Sequence, residues 1–292
     1  MSIETTAKTP WKDHLGDIPF TLEYFQGAMW EGVELQAKER PTAVAMDFMG
    51  KSITYRELMK NIEACARSLR TVGIRPGDSV TIAMPNCPQG IYMFYAVNMV
   101  GAVASMVHPL SSEKELEFYI NESESVLVVT LDQFYHKIEA IRQNTGLINV
   151  VIARIRDELS QPIRAGYMLT EGRKIAKIPD DAPVIMWDDF MKIGKACSYN
   201  FKQHRTFDDP AVVLFSGGTT GVSKGIVLTN GNFNALGAQI VATNPMYRKG
   251  DKMLAAMPIF HGFGLGVCIH SCSSAADAAY WFRALLPRAT PS

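Results

Sequence analysis

A chain of 292 residues in which 47% of the side chains are apolar can bury the core of one large domain or two ordinary ones, which excludes a disordered chain. Lys plus Arg and Asp plus Glu stand at 29 each, so no net field draws the chain to nucleic acid or to an anionic membrane, and any anion must be bound locally. Five scattered cysteines (Cys65, Cys87, Cys197, Cys268, Cys272) and a start, "MSIETTAKTPWKDH", without a basic and apolar leader point to free thiols, no zinc site and a cytoplasmic location.

After a polar arm over residues 1–20, "SITYRELMKNIEACARSLRTVGI" opens as a short strand and continues as a helix. Leu58, Ile62, Cys65, Leu69 and Val72 share one face of it, and Gly73 ends it. "RPGDSVTIAMPN" reads as a turn and a strand. The apolar stretch Ile91 to Val107 is short for a membrane span and is interrupted by Asn98, Gly101 and Ser105; a buried helix leading into the strand "GAVASMVHP" accounts for it better. "SSEKELEFYINESE" follows as an N-capped helix with Leu116, Tyr119 and Ile120 facing inward. "SVLVVT", "QFYHKIEAIRQNT" and "INVVIA" then give strand, helix and strand. This order predicts an α/β fold, mostly parallel sheets flanked by helices. Residues 155–208 break the rhythm and read as an excursion between two subdomains. "PAVVLF" resumes the sheet, "GIVLT" is another strand, Asn230 is placed to cap the helix "NGNFNALGAQIVAT", and "KMLAAMP" is a further strand before "IFHGFGLG".

Between the strands "PAVVLF" and "GIVLT" lies "SGGTTGVSKG". A Walker A loop needs a glycine directly before the lysine and Ser or Thr directly after it, where this chain has Ser223 and Gly225, and a strand rather than a helix follows Lys224. The chemistry of anion binding is nevertheless present. Glycines let successive backbone N–H groups converge, Ser216, Thr219 and Thr220 add hydroxyls, and Lys224 adds a point charge, a set suited to a polyphosphate. The competing reading is a solvent-exposed hairpin loop built of turn formers.

The order "FSGGTTGVSKGIVLTNGNF" resembles the signature of the adenylate-forming superfamily, which includes the acyl-CoA synthetases and reads Ser/Thr-Ser-Gly-Ser/Thr-Thr-Gly-X-Pro-Lys-Gly. Ser216, Gly218, Thr219, Thr220, Gly221, Lys224 and Gly225 fall on matching positions. Gly217 replaces a Ser of the pattern and Ser223 replaces its Pro. The segments "SITYRELMKNIEACARSLRTVGIRPGDSVTIAMPN", "NMVGAVASMVHP" and "MPIFHGFGLG" are similar to three further stretches of that family, in the same order. The resemblance implies that residues 21–270 are part of a large N-terminal AMP-binding domain in two subdomains.

It also implies a reaction in which a carboxylic acid, fatty or otherwise apolar, is activated with Mg2+ and ATP as an acyl adenylate and passed to CoA. Ser216, Gly217, Gly218, Thr219, Thr220, Gly221 and Lys224 would bind the nucleotide's phosphates, with Thr220, Lys224 and His261 as the catalytic group. For His261 the implied role, a gate between the carboxylate and the thiol channel, stands beside a purely structural one. His14, His108, His136 and His204 read as structural.

The later Tyr-Gly-X-Thr-Glu segment of the family, its ribose-binding aspartate and its C-terminal lid with a lysine are not found after Gly225, and no protein metal ligand is assigned. Residues 271–292, "SCSSAADAAYWFRALLPRATPS", depart from the family pattern and read either as a divergent helix or as the product of a shifted reading frame. Two functions are therefore compatible with the sequence. One is an incomplete acid-CoA ligase, inactive alone, with a complementing C-terminal chain as partner. The other is a non-catalytic nucleotide-binding remnant.

Overall fold

The structure, a computed structural model, describes residues 14–198, 200–217, 223–244, 246, 251–274 and 283–286. In chain order its elements begin with α1 (Met29–Glu39), β1 (Val44–Phe48), β2 (Lys51–Thr54), α2 (Tyr55–Thr71), β3 (Ser79–Ala83) and α3 (Pro88–Met99). The alternation continues with β4 (Val103–Met106), α4 (Glu113–Glu122), β5 (Ser125–Leu131), α5 (Tyr135–Ile141) and β6 (Asn149–Ala153). Next come α6 (Gln161–Leu169), β7 (Ile185–Met186), α7 (Trp187–Ile193), β8 (Pro210–Ser216), β9 (Lys224–Thr229), α8 (Asn230–Thr243) and β10 (Lys252–Leu254). A π-helical segment over Phe263–His270, α9 (Ser271–Ser274) and β11 (Arg283–Leu286) follow.

Local chemistry sets the helix boundaries. Thr54 accepts from the Glu57 amide while Glu57 Oε2 accepts from the Thr54 amide at 2.8 Å, and Ser112 with Glu115 repeats this reciprocal cap on α4. Helix α2 buries Leu58, Ile62, Cys65 and Leu69, the face its spacing predicts, and Gly73 leaves it at φ +99°. Helix α8 begins one residue differently from expectation: Thr229 is the cap, paired with Asn232, and Asn230 is buried inside the first turn.

Asn230 is needed elsewhere. Ala28 precedes α1 with no side-chain oxygen to offer, so the first amides of α1 are satisfied from a distance: Met29 N donates to Asn230 Oδ1 at 3.2 Å and Trp30 N to Asn98 Oδ1 at 3.1 Å. Asn98 Nδ2 donates in turn to Asn230 Oδ1 at 2.9 Å. The asparagine that interrupts the apolar helix α3 is therefore a buried tie among α1, α3 and α8. All of α3 is buried, and among the described residues no helix is long and apolar enough to cross a membrane.

The principal sheet has seven strands in the order β7-β6-β5-β3-β4-β8-β9, all neighbours parallel except the β8–β9 hairpin. Side chains alternate between its two faces. Val80, Ile82, Leu127, Val129 and Val151 join the core shared with α2 and α3, whereas Ala83, Val128, Val150 and Ile152 pack with Leu116, Ile120, Ile138 and Ile141 of α4 and α5. Helices thus cover both faces, as continuous β-branched strands require.

The span 155–208 is more structured than its sequence suggests. β7 extends the sheet beside β6, and α7 buries Trp187 and Phe190 against α2, where Ser68 Oγ donates to the Phe190 carbonyl and accepts from the Gly194 amide at 3.1 Å. Beyond α7, residues 201–204 are strapped down: Lys202 pairs with Glu34 at 2.6 Å and Glu63 at 2.8 Å, Trp30 Nε1 donates to the Gln203 carbonyl, and Gln203 N donates to the Met99 carbonyl. A second sheet, β10-β11-β1-β2, pairs β11 in parallel with both β10 and β1.

Candidate functional site

Strands β4 and β8 run parallel with Met106 opposite Leu214. His108 and Ser216 each lie two residues further on, so both reach the carboxyl end of the sheet. In open α/β sheets ligands bind at this end, where outgoing connections part to opposite faces. Such a parting occurs here, because β3 leads to α3 on one face while β4 and β5 lead to α4 and α5 on the other.

The hairpin carries Lys224 to the same place. Its outermost register pair is Ser216 opposite Lys224, and Ser223 Oγ donates to the Ser216 carbonyl at 2.6 Å, one step beyond the backbone ladder. The hydroxyl at position 223 therefore closes the hairpin mouth where the family pattern has a proline ring. Gly217 is exposed, and among the described residues a Cβ built on it would meet no atom within 4 Å, which leaves room for a ligand to approach its backbone. Gly225 is more constrained: a Cβ there would lie 3.2 Å from Val213 Cγ1. Gly218, Thr219, Thr220 and Gly221 lie outside the described residues.

His261 is brought to this end by residues 255–262, a passage that crosses the ends of β3, β4 and β8. Next to β3, Asn86 Nδ2 donates to the carbonyls of Ala255 and Met257 at 2.7 and 2.8 Å, and its Oδ1 accepts from the Ile259 amide at 2.8 Å. At β4, the Phe260 ring lies 4.3 Å from that of His108, and 4.9 Å from that of His261. At β8, Gly262 lies against Leu214, whose Cδ1 would be 3.4 Å from a Cβ on the glycine. The structure thus gathers Ser216, Gly217, Lys224 and His261 of the expected set at one end of the sheet, and adds His108 and Asn86.

Partial burial, the neighbouring His261 and Lys137 hold the His108 imidazole below its usual pKa, against the opposite pull of Glu115. Its Nδ1 accepts from the Leu110 amide at 2.9 Å, which leaves Nε2 to carry the proton of the neutral ring. His204 pairs with Glu31 Oε1 at 2.6 Å, in keeping with a structural role. The glycines after His261 serve close packing: a Cβ on Gly264 would overlap the Pro258 carbonyl, and one on Gly266 would press on Leu236 Cδ2 at 2.6 Å.

Sequence reasoning passed over Asn86, although an Asn-Cys-Pro step directly after a strand is a turn signal whose amide must go somewhere. It also passed over His270, which is wholly buried at the end of the π-helical segment. All five cysteines are free thiols, and among the described residues no group of three or more His, Cys, Asp or Glu could hold a metal ion.

A parallel sheet covered on both faces, with a hairpin and a histidine passage at its carboxyl end, defines an α/β protein of the open-sheet class. A profile of the AMP-binding enzyme family matches residues 33–284, and the chain belongs to that family. The long-chain-fatty-acid-CoA ligase of Bacillus subtilis (strain 168) is 28% identical over 262 residues, a match covering 89% of this chain and 47% of the relative. That of Salmonella typhimurium (strain LT2) is 28% identical over 225 residues, covering 74% and 39%. Among solved structures, the anthranilate CoA ligase AuaEII in complex with anthranoyl-AMP superposes with a TM-score of 0.72 at 19% identity, covering 94% of this chain and 47% of that one. The chain spans less than half the length of these relatives.

Proposed function

We propose that this chain supplies the phosphate-holding part of an ATP-dependent acid-CoA ligase whose acid is fatty or otherwise apolar. The observation that carries the reading is the convergence of the Lys224 end of the hairpin with the His261 passage at the carboxyl ends of β4 and β8, in a chain of the AMP-binding family. ATP, as substrate, would supply the adenylyl group that activates the carboxylate.

Within that reading, Lys224 offsets charge that accumulates on the departing pyrophosphate, the role of a pre-organised cation. Backbone amides at Ser216 and Gly217, with Gly218, Thr219, Thr220 and Gly221 from the sequence pattern, complete the cradle. Ser223 keeps Lys224 in register by holding the hairpin mouth. His261 stands beside the acid's carboxyl group and the approach of the thiol. The names of the relatives, long-chain-fatty-acid-CoA ligases among them, support an apolar acid and CoA.

The test is exchange of labelled pyrophosphate into ATP by the purified chain with Mg2+ and a mixture of fatty and aromatic acids, beside ATP binding by calorimetry. The expected result is ATP binding that falls about tenfold or more in Lys224→Ala, the loss of one charge-assisted contact. Exchange that depends on Lys224 would assign the adenylation step to this chain. Binding without exchange would assign it the holding role alone. Binding that is absent, or indifferent to Lys224, would overturn the reading.

A further inference from the structure

The passage that carries His261 makes few backbone hydrogen bonds of its own. Between β10 and the π-helical segment, Ala256 N donates to the Leu254 carbonyl and His261 N to the Pro258 carbonyl. The carbonyls of Ala255 and Met257 and the amide of Ile259 instead take their partner from one side chain, Asn86. Neutral side chains with an N–H2 group and a carbonyl on one carbon are Asn and Gln alone, and at this reach both hydrogens and the oxygen of Asn86 are used. Next to it, Ile259 is buried with its Cδ1 against Gly90, at the first turn of α3, where a Cβ would stand only 2.9 Å away. Phe260 is then fixed on His108. The loop after β3 and the end of β4 thus hold the two residues that precede His261.

We propose that Asn86 is a positioning residue of the site: its carboxamide fixes the backbone of residues 255–259 across the ends of β3 and β4, and so sets where His261 stands relative to the Ser216–Lys224 hairpin. This rests on the proposed ligase reading for what His261 would face. It does not rest on that reading for the clasp itself. Among the described residues the carboxamide of Asn86 bonds to residues 255, 257 and 259 and not to Ser216, Gly217 or Lys224, so its effect belongs to the acyl side of the site.

The test compares the full chain with Asn86→Ala and Asn86→Asp. The readouts are amide exchange at Ile259, ring resonances of His261 and His108, and calorimetric binding of decanoyl sulfamoyl-adenosine, a stable acyl adenylate mimic, and of pyrophosphate. Asn86→Ala is expected to speed Ile259 exchange and to weaken the acyl adenylate mimic about tenfold each, and to move the His261 resonances. Pyrophosphate affinity should stay within about twofold, since the hairpin is untouched. Asn86→Asp keeps the acceptor for Ile259 but loses both donors, so slow Ile259 exchange should persist there while the His261 resonances still move. That split separates positioning from loss of folding.

Unchanged Ile259 exchange and unchanged His261 resonances in Asn86→Ala would overturn the clasp. Altered resonances with undiminished binding of the mimic would overturn its bearing on the site. A parent chain that binds neither probe would overturn the ligase reading, while exchange and resonances would still decide the clasp.

Discussion

His270 sits in a setting far from the usual chemistry of an imidazole. It is fully buried between α3 and α8, with Nδ1 3.2 Å from Tyr95 Oη and Nε2 3.1 Å from Asn234 Oδ1. Asn234 spends its amide hydrogens on the carbonyls of Phe25 and Gly27, so its oxygen is an acceptor; Nε2 must carry the proton and Nδ1 accept from the tyrosine. Burial pushes the imidazole pKa down to about 3 from 6.5. In the folded chain it is neutral, whereas the unfolded chain takes up a proton below about 6.5, so between those values the unfolded state binds more protons and stability falls as pH falls. From pH 6.5 to 5 the loss from this group is about 2 kcal/mol. Urea midpoints measured across that range should decline accordingly in the parent chain, and the decline should flatten in His270→Gln. An equal acid slope in both would show that the ring does not titrate as its burial dictates.

Among the elements, the π-helical segment makes the sharpest demand on sequence. Gly264 has no room for a methyl group against the carbonyls of Met257 and Pro258, so Gly264→Ala should cost about 3 kcal/mol and displace the His261 passage. Gly217, which meets no described residue where a Cβ would stand, should accept Ala within about 0.5 kcal/mol. Thermal melts of the two variants check the contrast, and equal melting points would refute it. The pair also shows what the sequence discloses. Helix α2, the serine cap of α4 and the strands β3 to β6 follow from spacing and local chemistry, so they were legible. Glycine identity alone does not distinguish a backbone that a ligand approaches from one that another strand of chain presses on. Likewise Asn98 and Asn230 read as a helix interruption and a cap, and Asn86 drew no reading, because the groups they satisfy lie far away in sequence. Of the candidate site, the two strands that bring Ser216 and Lys224 together were legible from residue order, whereas the attachment of residues 255–259 to β3 was not.

Across the whole molecule the second sheet joins distant parts of the chain. β11 lies between β10 and β1, with Met46 opposite Ala284 and Phe48 opposite Leu286. A chain ended at Ser274 leaves that side of β1 without its ladder, so amide exchange at Val44–Phe48 should accelerate about tenfold or more, since unpaired strand amides exchange by local opening. The principal sheet shares no strand with β1, so exchange at Val128–Thr130 of β5 should hardly move. Protection of β1 that survives the shortening would mean that its stability does not depend on β11.

The same pairing has a consequence in time. A chain made at about 5–20 residues per second needs on the order of ten to fifty seconds to lengthen from Phe48 to Arg283. Throughout that interval the β1–β2 hairpin, already synthesised, waits beside a place that only a late segment fills. The second sheet is therefore completed after the first, and a nascent chain that pauses within that interval presents its unfilled strand edge to whatever else is folding nearby.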